Sequence, residues 1–234
     1  MTAPLSNSAL PEIAPDRETG ALDLPGGLPT FGAREALVSW MPLLFCLSGF
    51  AALVYQVVWQ RVLFAAFGVN VEAVTVVVTA FLAGLGFGSL LGGWLAKAED
   101  GRLLIGFGSV EIAIGVFGLI SVAFFRWIGD VSLGLASTER AILLALIVMV
   151  PTTMMGVTLP LLVGYLVRAN GNVGRSVGTL YFVNTSGSAL AAFAAVFLLL
   201  GNLGETRSAM IAGLLNLTIG GVVIVCSRRR VVTP

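Results

Sequence analysis

The chain has no histidine and only two cysteines among its 234 residues. Without histidine it lacks the usual general base, the usual proton shuttle and the commonest metal ligand. Cys46 and Cys226 both fall in apolar runs, with neither metal-ligand spacing nor a disulfide framework. Zinc, haem and iron–sulfur chemistry are not expected on these grounds, and neither is any other metal or cofactor. Charge is also scarce. Asp, Glu, Lys and Arg make up 11% of the chain, where a soluble domain carries roughly 25%. The net charge is +1, and the one basic cluster is Arg228, Arg229 and Arg230. That leaves no patch for nucleic acid.

What the chain has instead is apolar length. It is 57% hydrophobic, with mean hydropathy +0.99. The stretch AVTVVVTAFLAGLGFGSLLGGWLAKAEDGR, residues 73–102, sets the pattern. Its first 24 residues, Ala73 to Ala96, carry no charge. At 1.5 Å per residue they suffice for a bilayer core of ~30 Å. Gly84, Gly88 and Gly92 recur at every fourth position and form one bare stripe, widened by Ser89 and Gly93, against which a second helix can pack closely. A short charged turn, Lys97 to Arg102, leads into the next apolar run.

Six such segments are expected as spans, at about 37–58, 73–96, 103–125, 141–166, 177–200 and 209–226. The fold expected is an all-α integral membrane protein, a six-helix transmembrane bundle over 37–228 in contact with the lipid bilayer. Residues 1–36, rich in proline and without periodicity, read as a disordered tail, and 229–234 as a short one. No signal peptide is expected. Pro151 and Pro160 predict a kink or break in the fourth segment. With an even number of spans both termini share a side. That side collects nine Lys and Arg against four on the other, which places both termini in the cytoplasm. Trp40, Trp59, Trp94 and Trp127 fall at segment ends, where an aromatic belt would put them. Segments one and two weakly echo four and five, which suggests a three-plus-three inverted repeat.

Few residues can carry chemistry, and no catalytic residue is assigned. Glu111 is the one acidic residue well inside a span, ~12 Å from its nearer edge. Gly108, Gly115 and Gly118 share its face, a packing face, so Glu111 points into the bundle. Thr158, Tyr181 and Asn184 reach a similar depth on the fourth and fifth segments. The four form a candidate intramembrane polar cluster. One reading is a substrate or proton site. The other is a hydrogen-bonded glue in which Glu111 holds Asn184 and Thr158. Gln56, Gln60 and Arg61 read as an interfacial helix end, and Asn216, on a face with Gly213 and Gly220, as a packing hydrogen bond. The GxGxG of GLGFG lies inside an apolar span with no strand before it and is no nucleotide loop.

Taken in order, SGFAALVYQVVWQR, AFLAGLGFGSLLGGWLA, VEIAIGVFGL, PTTMMGVTLPLL and VGTLYFVNTSGSALAA resemble the membrane domain of the membrane-bound spermidine synthase-like proteins. The likeness runs from Leu44 to Arg228 and includes Glu111, Pro151, Gly156, Pro160, Tyr181, Asn184 and Gly187. The turn GGWLAKAEDGR also resembles the loop between the second and third helices of the major facilitator superfamily, so half of such a transporter is a distant analogue. The resemblance implies a bacterial inner-membrane protein. It also implies a cytoplasmic aminopropyltransferase domain after the last helix, and residues 227–234 carry no glycine-rich loop or acidic pair for one. The expectation is therefore a non-catalytic membrane protein, a scaffold or accessory subunit whose glycine stripes pack against other membrane subunits. The alternative is a homodimeric half-transporter for a small, polyamine-like solute that uses Glu111.

Overall fold

The computed structural model describes residues 33–67 and 71–228. The first 32 residues and 229–234, where the tails were expected, lie outside it. Every regular element among the described residues is helical, with no strand. The elements are α1 (Ala33–Phe67), α2 (Val71–Leu95), α3 (Asp100–Val131), a short 3₁₀ turn (Ser132–Gly134), α4 (Ser137–Asn170), α5 (Val173–Ala194), a π turn (Ala195–Leu199) and α6 (Leu200–Arg228). Helix thus begins four residues before the expected boundary at 37.

Five helical stretches are long and apolar enough to cross a membrane: Val38–Ala65, Val74–Leu95, Asp100–Gly134, Thr138–Asn170 and Val173–Arg228. The expected spans 177–200 and 209–226 both lie within the last, which is 56 residues long. That stretch is interrupted at Gly204, whose backbone (φ 73°, ψ 179°) is open to glycine alone. Gly171 ends α4 in the left-handed region (φ 68°), with its N–H on the Val167 carbonyl at 2.8 Å. That is the ordinary glycine stop of a helix.

Three close helix crossings build the bundle. On α2, Gly84, Gly88 and Gly92 face Thr152, Thr153 and Val157 of α4, and the two helices run parallel. A Cβ at Gly88 would fall on the Thr153 carbonyl oxygen, and one at Gly156 on that of Leu85. On α1, Gly49 faces Asn184 of α5 in the same reciprocal way. Gly187 of α5 sits on the Cys46 carbonyl, and the Ser188 hydroxyl donates to the Gly49 carbonyl at 3.1 Å. The third crossing is antiparallel. Gly108 and Gly115 of α3 lie against Gly220 and Gly213 of α6. Gly118 instead accommodates the Tyr55 ring of α1. Gly93, expected to widen the α2 stripe, has open space where its Cβ would be.

α4 stays α-helical through Pro151 and Pro160, so of the kink or break expected there the break is absent. A proline removes one N–H and leaves the carbonyl four residues earlier without its helical donor. For Pro160 that carbonyl is Gly156, and the Ser89 hydroxyl of α2 lies 3.4 Å from it while donating to Leu85 at 2.9 Å. One expectation gives way, at Trp59. Trp40, Trp94 and Trp127 are exposed on the outer surface, but Trp59 is 1% exposed. α1 runs on to Phe67, so position 59 is not its end. The indole stacks on Tyr55 at 5.0 Å, meets Phe117 and Phe125 edge-on at 5.6 Å, and donates from Nε1 to Ser121 Oγ at 2.9 Å. Trp59→Phe retains most of that packing but loses the bond, and should lower stability by about 1 kcal/mol in a detergent melt. A Trp59→Phe protein as stable as the wild type would show the indole N–H to be dispensable.

Candidate functional site

Glu111 is fully buried. Its α3 face is otherwise glycine or apolar, so the carboxyl reaches its neighbours without obstruction. Ser48 of α1 donates from Oγ to Oε1 at 2.6 Å, and Asn216 of α6 donates from Nδ2 to Oε2 at 3.0 Å. Three helices are thereby joined through one side chain. The bonds expected to Asn184 and Thr158 are not formed. The Thr158 hydroxyl turns back to the Met155 carbonyl of its own helix at 2.7 Å, the usual behaviour of a helical threonine. Asn184 lies over Gly49.

A cavity of about 260 Å³ lies beside this network. Its lining draws on all six helices. The polar part comprises Ser48 and Gln56 of α1, Ser89 of α2, Thr158 of α4, Asn184 and Ser188 of α5, and Asn216 of α6. Tyr181 stands at its exposed side, and Phe81, Ile114 and Met155 supply apolar wall. The structure therefore brings Thr158, Tyr181 and Asn184 onto one cavity, with Glu111 behind its wall and linked to it through Ser48 and Asn216. Asn216 Oδ1 is buried and accepts no hydrogen bond. An acceptor in this state favours a ligand that brings a donor. Among the described residues, no lysine or arginine lines the cavity. Among the described residues, no three cysteine, aspartate or glutamate side chains converge on a metal-sized site.

The sequence reading did not name Ser48, and it gave Gln56 and Asn216 roles outside this site. Ser48 and Gln56 share a face of α1 at helical spacing, with Ala52 between them, and that periodicity was the available signal. Gln56 is half-buried against the cavity, not at an interfacial end. Asn216 does bond across helices, but to a carboxyl, and no local pattern names that partner.

Comparison with known proteins gives one consistent likeness. The chain is 29% identical over 212 residues to a polyamine aminopropyltransferase of Mycobacterium tuberculosis, and the match covers 86% of the chain and 39% of that protein. It is 28% identical over 171 residues to polyamine aminopropyltransferase 2 of Streptomyces coelicolor, covering 71% of the chain and 30% of the relative. The chain thus spans well under half the length of the curated relatives it matches. No protein-family model matches it, and no solved structure does.

Proposed function

We propose that this chain is a membrane domain related to that of the polyamine aminopropyltransferases, and that it binds a small organic cation in its central cavity without itself performing catalysis. The observation that carries the proposal is the cavity, with an unpaired buried acceptor on Asn216, a carboxyl one hydrogen bond behind its wall and no basic residue in its lining. A polyamine is the natural candidate, because the relatives are polyamine aminopropyltransferases. An accessory role would rest on free glycine stripes, but Gly84, Gly88, Gly92, Gly108 and Gly115 are all occupied by the chain's own helices. The binding reading is therefore preferred to the scaffold reading.

The architecture proposed with it is six spans in a three-plus-three inverted repeat, with both termini in the cytoplasm of a bacterial inner membrane. The last helical stretch would cross twice and turn at Gly204. At 1.5 Å per residue, 56 residues would reach ~84 Å if straight, far beyond one bilayer. Residue spacing supports the repeat. Gly49 and Arg61 of α1 stand at the spacing of Gly156 and Arg168 of α4. Gly88 and Ser89 of α2 answer to Gly187 and Ser188 of α5. Gly108, Glu111 and Gly115 of α3 answer to Gly213, Asn216 and Gly220 of α6. Even the end contacts correspond: Arg61 lies 4.0 Å from Glu205 at the start of α6, and Arg168 lies 3.1 Å from Asp100 at the start of α3. On this reading Glu111 and Asn216 meet at the pseudo-two-fold axis. Ser48, which serves Glu111, has Met155 as its counterpart. Methionine donates nothing, so the Asn216 acceptor is left for a ligand.

The test is equilibrium binding of radiolabelled putrescine and spermidine to the purified chain in detergent. Saturable binding is expected, weakened about ten-fold or more by Glu111→Gln, which retains size and hydrogen bonding but cannot ionise. Absence of saturable binding to the wild type would remove the reading. Binding unaltered in the variant would remove the carboxyl from the site.

A further inference from the structure

A second cavity, of about 410 Å³, lies where the last turn of α4 meets the first turns of α1 and α5. It is lined by Val38, Pro42, Leu166, Asn170, Arg175, Ser176 and Thr179, and shares no residue with the central cavity. Its polar side chains present donors: a guanidinium, two hydroxyls and an amide. Ser176 is 1% exposed, and its Oγ is buried without a hydrogen-bond partner. The Arg175 side chain makes no ion pair among the described residues. Its place is fixed through its backbone, whose N–H donates to the Asn172 side chain at 2.9 Å as the cap of α5. Among the described residues, no acidic side chain lines the recess.

A buried hydroxyl without a partner, beside an exposed guanidinium that forms no ion pair among the described residues, favours an anion in this apolar-backed recess. Its position narrows the source. α4 has 34 residues, ~51 Å of helix against a hydrocarbon core of ~30 Å, so its last turn lies at headgroup depth. Val38, Pro42 and Leu166 offer apolar surface beside the donors, as an amphiphile requires. Basic recesses between helices at this depth suit lipid headgroups. We propose that this recess binds the phosphate of an anionic phospholipid headgroup, held by Arg175 and Ser176.

The test is native mass spectrometry of the purified chain from micelles doped with equal amounts of phosphatidylglycerol and phosphatidylcholine. Choline's own cation offsets the guanidinium–phosphate attraction, so phosphatidylglycerol should be retained about ten-fold more. Arg175→Gln and Ser176→Ala should each reduce that preference, while both variants melt like the wild type in lipid-free detergent. Equal retention of the two lipids, or an undiminished preference in the variants, would overturn the proposal. So would inorganic phosphate bound at this site with no preference between the lipids. If either variant melts early without lipid, the Arg175→Lys protein decides. A single ammonium in place of the fork should retain part of the preference, and full loss in a stably folded Arg175→Lys protein with undiminished binding in Ser176→Ala would also overturn it.

Discussion

Gly88→Ala should destabilise the bundle by about 3 kcal/mol or prevent its assembly, while Gly93→Ala, five residues along the same helix, should cost nothing and gain up to ~1 kcal/mol from helix propensity. The two glycines look alike in sequence. A Cβ at position 88 would meet the Thr153 carbonyl oxygen and lie 2.8 Å from the Gly156 Cα, so α2 and α4 must separate along the whole crossing. A backbone cannot yield as a flexible side-chain end can. At position 93 nothing lies within 4 Å. In lipid the cost is not offset by burial, because apolar surface released by the parting helices is solvated by acyl chains. Thermal melts in detergent, read by the fraction that remains monodisperse on a sizing column, measure both variants. Equal melting temperatures for Gly88→Ala and wild type would show that the crossing is looser than described. The same experiment at Gly187, which sits on the Cys46 carbonyl, should repeat the loss if the α1–α5 crossing is the counterpart of α2–α4.

The second large effect concerns Glu111. Glu111→Ala removes the acceptor of two buried donors, Ser48 Oγ and Asn216 Nδ2, and leaves the volume of the lost side chain between three helices. Each unpaired buried donor costs ~1–3 kcal/mol, so a total of roughly 3–5 kcal/mol is expected. Glu111→Gln should cost far less, about 1 kcal/mol, because the amide oxygen still accepts from one partner and Ser48 can accept in turn. The double variant Glu111→Leu, Asn216→Leu should be more stable than Glu111→Ala, since it removes donor and acceptor together. Chemical denaturation in mixed micelles provides the comparison. A Glu111→Ala protein within 0.5 kcal/mol of the wild type would mean that Ser48 and Asn216 find other partners easily, against the geometry here. The glutamine variant therefore separates the two roles of the residue. Stability should survive it, and cation binding should not.

Much of this molecule is determined by its sequence alone. Long uncharged runs in so charge-poor a chain require membrane-spanning helices, because only a structure with all backbone bonds satisfied internally tolerates lipid. The glycine spacing marks which helix faces are bare. Glu111 is conspicuous because a lone acid in an apolar helix has no local reason to be there. What such patterns leave open is the partner of each face. The same stripe can receive a neighbour from its own chain, a second subunit or lipid, and periodicity along one helix is blind to the difference. Only the tertiary structure decides that α2 meets α4 while Gly93 meets nothing. Only it pairs Glu111 with Ser48 and Asn216, which lie 63 and 105 residues away along the chain. Trp59 shows the physical reason most clearly. A segment's end is read from where hydropathy falls, but α1 continues past that point, and the side chain there is set by the helices that surround it. Hydropathy reports the solvent of a helix; its neighbours are chosen by shape and by the few hydrogen bonds that must be closed across the bundle.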